Sequence, residues 1–81
     1  MKTLGLIGGT GPESTIDYYR LLTNLYREKA DGASPHIIIN SINLKQMLEW
    51  MNAGALDKVT DQLVKEFETL QRAGVDFAAL T

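Results

Sequence analysis

The stretch Gly8-Gly9-Thr10-Gly11-Pro12-Glu13-Ser14 holds the residues whose types and spacing could do chemistry. Gly8, Gly9 and Gly11 let the backbone turn sharply and leave it bare, so a ligand could approach the main chain closely. Pro12 has the fixed backbone angle favoured in a first helical turn, and Thr10 and Glu13 have the spacing of a capping box. A helix that starts here aims unpaired N–H groups and a partial positive charge at whatever sits over the glycines. The chemistry implied is anion binding. Thr10 can cap the helix, face a ligand, or both, while Glu13 fits a capping box better than a base. Ser14 has no visible His–Asp partners, so a nucleophilic serine is not supported.

Competing readings of the glycines fail on particular residues. Gly9-x-Gly11-x-x-Ser14 comes close to the dinucleotide fingerprint, which ends in Gly or Ala. That fingerprint also wants a carboxylate after the second strand, where the sequence reads Asn40-Ser41-Ile42-Asn43. Pro12 removes an N–H from the turn that would hold a pyrophosphate. No Gly-Lys-Ser/Thr occurs for a Walker-type loop. A tight strand-to-helix turn without a ligand remains open.

The elements that position the loop follow from apolar patterning. Leu4, Leu6 and Ile7 read as a buried strand ahead of it. Ile16, Tyr19, Leu22 and Tyr26, widened by Tyr18, Leu21 and Leu25, read as the apolar stripe of a helix behind it. Asp31-Gly-Ala-Ser-Pro35 breaks that helix. His36 to Asn40 reads as a second buried strand, with His36 on the rim opposite the ligand end. Asn43 is a plausible N-cap for a short helix carrying Met47, Leu48, Trp50 and Met51, interrupted by Asn52-Ala-Gly54. Trp50 and its methionines fit packing, or else a partner-facing patch. A longer helix from about Ala55 to Arg72 repeats Leu56, Val59, Leu63, Phe67 and Leu70 at spacings of three and four. Asp61, Lys65, Glu66 and Glu68 read as its solvated face, and Gly74 as its C-terminal stop. Val75 to Thr81 reads as a third buried strand.

The order strand–helix–strand–helix–helix–strand predicts an α/β fold, a three-layer parallel sheet with flanking helices and right-handed crossovers. Ligands in such sheets bind beyond the carboxyl ends of the strands. One rim then holds residues 8–14, residues 40–43 and whatever follows Thr81. An apolar strand ending without a covering helix leads to the expectation that residues 1–81 are the N-terminal part of a longer α/β domain.

Composition narrows the function. The 81 residues carry a formal charge of −2 with both signs mixed, so there is no basic footprint for nucleic acid. No apolar run approaches the roughly 20 residues a membrane helix needs. The lysine and short apolar run at the N-terminus are too brief for a secretory signal, and a cytoplasmic setting is expected. No cysteine is present, which excludes disulfides, thiolate chemistry and Cys-based zinc sites within these residues.

Met1-Lys-Thr-Leu-Gly-Leu-Ile-Gly-Gly-Thr-Gly-Pro-Glu-Ser-Thr-x-x-Tyr-Tyr-Arg20 resembles the N-terminus of the aspartate/glutamate racemase family, its aspartate racemase branch in particular. Leu70-Gln-Arg-Ala-Gly-Val-Asp-Phe-Ala-Ala-Leu80 is similar to that family's lead into its third strand. The resemblance spans this chain but only about the first third of a family member. It implies one of two similar α/β halves facing each other across a cleft. It also implies interconversion of acidic amino-acid enantiomers with neither pyridoxal phosphate nor metal. Two cysteines, one per half, flank the substrate α-carbon; one thiolate removes the α-proton and the other thiol returns a proton from the far side. The first belongs to a Cys-Asn-Thr motif falling just past Thr81, so no catalytic residue carries over.

The substrate contacts that carry over are Gly9, Thr10, Gly11 and Ser14, and more weakly Asn40 and Ser41. Some members place an arginine after the second strand for the side-chain carboxylate; here Lys45 is the only cation in that region. The expected partner is a small acidic amino acid, and the family resemblance implies a homodimer of the full-length protein. A non-catalytic module that holds a small carboxylate or phosphate at residues 8–14 is the alternative, and a nucleotide-binding enzyme a distant third.

Overall fold

Leu6 and Ile7 are buried because the strand that carries them is paired along both edges. The structure, a computed structural model, describes residues 2–9 and 12–81, with Pro12 and Glu13 described by their backbone alone. The capping box expected from Thr10 and Glu13 lies outside these described residues. The elements are β1 (Thr3–Gly8), α1 (Pro12–Lys29), β2 (His36–Ser41), α2 (Leu44–Asn52), α3 (Leu56–Arg72) and β3 (Phe77–Leu80). The three strands are parallel in the order β2-β1-β3. Leu4 stands across from Ile37 and Phe77, and Leu6 across from Ile39 and Ala79.

Two glycines of β1 show which helix covers which face. A Cβ at Gly8 would meet Thr15 of α1, whereas one at Gly5 would meet Val75 and Leu70, the latter in α3. Residues 5 and 8 point to opposite faces of a strand, so α1 and α3 flank the sheet on opposite sides. The order demands this, because the chain moves from β1 to β2 and then crosses back over β1 to β3. Right-handed crossovers in opposite directions put their helices on opposite faces.

The core lies on the α3 face. Ile7, Ile42, Met47 and Leu70 are buried together, with Ile38, Trp50, Val59, Leu63, Phe67 and Val75 packed against them. Trp50 is therefore a packing residue, while Leu48 and Met51 remain exposed. The helix ends follow their sequence signals. Asn43 caps α2 by accepting the Lys45 N–H at 3.1 Å. Past α3, the Gly74 N–H donates to Gln71 and the Val75 N–H to Leu70, which closes the left-handed turn at Gly74 (φ +93°). Asp76 then ties β3 to β1, donating its N–H to the Thr3 carbonyl and accepting the Thr3 N–H at 2.7 Å.

Burial departs from expectation in four places. β3 begins at Phe77 rather than Val75, and all four of its residues are exposed. β2 is only partly buried. Both strands are edges of a three-stranded sheet, so their apolar side chains lack neighbours that the central strand has. On α1, Ile16, Tyr18, Tyr19, Leu21 and Leu25 are exposed, and the buried positions are Thr15 and Thr23. Apolar side chains surround most of α1, and one narrow sheet covers a single side of it. The radius of gyration is 14.3 Å, above the roughly 12 Å of a compact domain this long, which matches so open a packing. On α3, Leu56 is likewise exposed.

This distribution predicts an unequal pair of truncations on α3. Leu70 is 1% exposed and Leu56 63%. Leu70→Ala should cost roughly 2–5 kcal/mol in urea unfolding. Leu56→Ala should stay within about 0.5 kcal/mol.

Candidate functional site

The sheet order fixes where a ligand would be met. Strand order reverses between β1 and β3, and the crevice beyond the carboxyl ends of such a pair is the expected ligand position in α/β sheets. At that rim β1 runs out at Gly8, α1 begins at Pro12, and Thr81 follows β3.

Close backbone approach dictates Gly9. Its φ of +91° lies in the region L side chains rarely adopt. A Cβ there would stand 2.6 Å from the Ile42 carbonyl oxygen and 2.9 Å from both the Ile42 nitrogen and the Ser41 Oγ. The Ile42 N–H also donates to the Gly8 carbonyl at 2.9 Å. The loop after β2 thus closes directly on the glycine turn. Gly8 is constrained from the other face, where its Cβ would lie 2.7 Å from Thr15 Cγ2 and 2.8 Å from Thr15 Oγ1. These two glycines have structural reasons of their own, independent of any ligand.

Thr15 and Thr81 make the second connection at the rim. The Thr81 N–H and its hydroxyl both donate to the Ile7 carbonyl oxygen, each at 3.0 Å. The hydroxyls of Thr15 and Thr81 are 3.0 Å apart. The first turns of α1 and the end of β3 are thereby joined through the end of β1. Sequence reading passed over Thr15, a small polar residue whose partner is 66 positions away.

The residues expected to contact a ligand divide into groups. Gly9 and Ser41 are brought together, with Ile42 against them. Ser14 is exposed in the first turn of α1, and Lys45 is exposed in the first turn of α2. Thr10 and Gly11 lie outside the described residues. Asn40 points to the α3 face, where its Nδ2 donates to the Glu66 main-chain oxygen and to Glu66 Oε1, both at 3.3 Å. Glu66 therefore does not belong to the solvated face of α3; it is half-buried, and its Oε2 accepts from Gln62 at 3.4 Å. The spacing of Glu66 from Leu63 and Leu70 sets it at the border of the apolar stripe, but its partner, 26 residues away, has no local signal. His36 opens β2 at the opposite rim, exposed, as the strand reading places it.

Among the described residues no group of three His, Cys, Asp or Glu side chains could hold a metal ion. No described helix is long and apolar enough to cross a membrane.

No family model matches the chain. It is similar to the solved structure described as "a putative Asp/Glu Racemase from Yersinia pestis", at 31% sequence identity and a TM-score of 0.93. The match covers 99% of this chain and 35% of that one, so these residues span about a third of that protein's length. The chain has the α/β fold of a racemase-type half-domain, a parallel sheet flanked by helices.

The contacts around Gly8 and Gly9 lead to opposite rescue behaviour. Thr15→Ala leaves only a Cβ, 3.3 Å from where a Gly8 Cβ would stand. Gly8→Ala should therefore destabilise the protein much less in a Thr15→Ala background than alone, a coupling of about 1 kcal/mol or more. Gly9→Ala meets main-chain atoms and a positive φ, and neither Ser41→Ala nor Thr15→Ala should restore it. Urea unfolding of the single and double variants reads both outcomes.

Proposed function

We propose that these residues are the N-terminal part of a racemase that acts on an aspartate- or glutamate-type amino acid without pyridoxal phosphate. The similarity over 99% of the chain to a protein described as an Asp/Glu racemase carries the reading. The N-terminal motif through Arg20 supports it independently of the fold. In this reading residues 1–81 bind and orient the substrate, while the proton chemistry belongs to thiols supplied from outside them.

Each part of the rim then has a task. The α-carboxylate of the substrate binds at the glycine turn ahead of α1, where a helix N-terminus favours an anion. Removing the α-proton moves negative charge toward that carboxylate, so donors held there stabilise the carbanion-like state more than the ground state. Ser41, whose hydroxyl lies against Gly9, and Ser14, exposed in the first turn of α1, are the serine hydroxyls assigned to this position. Asn40, engaged by Glu66, acts by holding the end of β2. Lys45 is the cation available for a side-chain carboxylate.

Inversion needs a base and an acid on opposite faces of the α-carbon. One thiolate takes the α-proton and becomes a thiol, while the opposite thiol gives its proton to the carbanion and becomes a thiolate. These 81 residues contain no cysteine, and the resemblance places the first thiol just past Thr81. The clamp of Thr81 on Ile7 and Thr15 would give that position a fixed origin beside the glycine turn. The alternative is that the rim binds a small carboxylate or phosphate without turning it over.

The test is turnover by the complete product of the gene in deuterated water. Racemisation of L-aspartate or L-glutamate should yield the D form with deuterium at the α-carbon, and Cys→Ser at the position after Thr81 should abolish it. A product that carries no thiols, binds acetate or phosphate and turns over neither amino acid would establish the binding reading instead.

A further inference from the structure

We infer that the recess around Glu66 is a binding site for a small organic ammonium group. The recess has a volume of about 200 Å³ and is lined by Ile42, Asn43, Gln46, Met47, Gln62 and Glu66. It opens between α2 and α3, beside the end of β2. Its charge is of one sign: Glu66 supplies a carboxylate, and Asn43, Gln46 and Gln62 supply neutral carboxamides. The ion pair among the described residues is Arg72–Glu68, elsewhere on α3, so no described cation lies within salt-bridge distance of Glu66.

The carboxylate is held rather than neutralised. Its two oxygens take one amide donor each from Asn40 and Gln62, where a carboxylate can accept about four. The Asn40 amide also bonds the Glu66 main-chain oxygen, which fixes the side chain against the end of β2. A half-buried anion in this setting lacks part of its water and has no countercharge. A ligand that brings both a positive charge and several N–H donors supplies what is missing. A primary ammonium does so with three donors, for which the carboxamide oxygens of Gln46 and Gln62 are further acceptors. The buried Ile42 and Met47 offer an apolar wall to a short alkyl stem. A divalent metal is a poorer fit, since Ca²⁺ takes six or more oxygens and usually more than one carboxylate.

The site goes beyond the racemase reading and fails separately from it. Ile42 lines the recess and also touches Gly9, so one residue stands between the two positions. The complete protein, ¹⁵N-labelled, is titrated in separate arms with ethylammonium chloride, sodium acetate and sodium chloride. The side-chain amides of Asn40, Gln46 and Gln62 report the recess; the backbone amides of Gly9 and Ser14 report the glycine turn. Ethylammonium should give saturable shifts at the recess, weakened at least tenfold by Glu66→Gln and unchanged by Glu68→Gln. Acetate shifts confined to Gly9 and Ser14 would bear on the anion site alone. Non-saturating shifts, equal shifts in sodium chloride, or full binding by Glu66→Gln would overturn the assignment. Should Glu66→Gln fail to fold, Gln62→Met keeps the charge and removes one acceptor, and unchanged affinity in it would overturn the assignment equally.

Discussion

The carboxyl rim depends on how closely other groups approach the main chain at residues 8 and 9. On one side Thr15 lies where any side chain at position 8 would go. On the other, the backbone of Ile42 and the hydroxyl of Ser41 occupy the space a side chain at position 9 would need. Three connections therefore meet on a few bare backbone atoms: the start of α1, the end of β2 and, through Ile7, the end of β3. The positive φ at Gly9 is what lets the chain leave β1 and enter α1 within so short a turn.

Sheet order is the second constraint, and it decides how much of the apolar sequence is buried. β1 has neighbours on both edges and helices on both faces, so Leu6 and Ile7 are shielded from four directions. β2 and β3 each lack a neighbour, and Ile39, Phe77 and Leu80 stay open to water despite sitting in apolar runs. The α3 side closes better than the α1 side. α2 and α3 pack against each other as well as the sheet, whereas α1 presents Ile16, Tyr18, Leu21 and Leu25 outward. Burial, not composition, separates the strong side of this fold from the weak one.

Much of this was legible in the sequence because the signals are local. Short apolar runs and period-three-to-four patterning yield all six elements in their observed order, and Asn43 and Gly74 mark the helix ends they were expected to mark. The glycine-rich turn and its place at a strand-to-helix junction were equally readable. What was not readable depends on neighbours in space. A run such as Phe77 to Leu80 has the same pattern whether it lies at the centre of a sheet or on its edge. The partnerships Asn40–Glu66 and Thr15–Thr81 span 26 and 66 residues and depend on which strand face a helix happens to cover. Glu66 in particular lies three residues from Leu63 and four from Leu70, at the border of the apolar stripe of α3, and its partner there emerges only when Asn40 at the end of β2 is set beside it.

The two faces of the rim are consequently unlike in charge. On the α1 face a helix begins, and the partial positive charge of a helix N-terminus favours an anion. On the α3 face the carboxylate of Glu66 stands in a recess without a described cation beside it. Between them lie Gly9, Ser41 and Ile42, so close that a side chain at position 9 would have no room. A sheet with both helices on one side could not produce this arrangement, because one helix start and the flank of another would then compete for the same surface. The reversal of strand order at β1 separates them, and the bare backbone at Gly9 lies between the two sides.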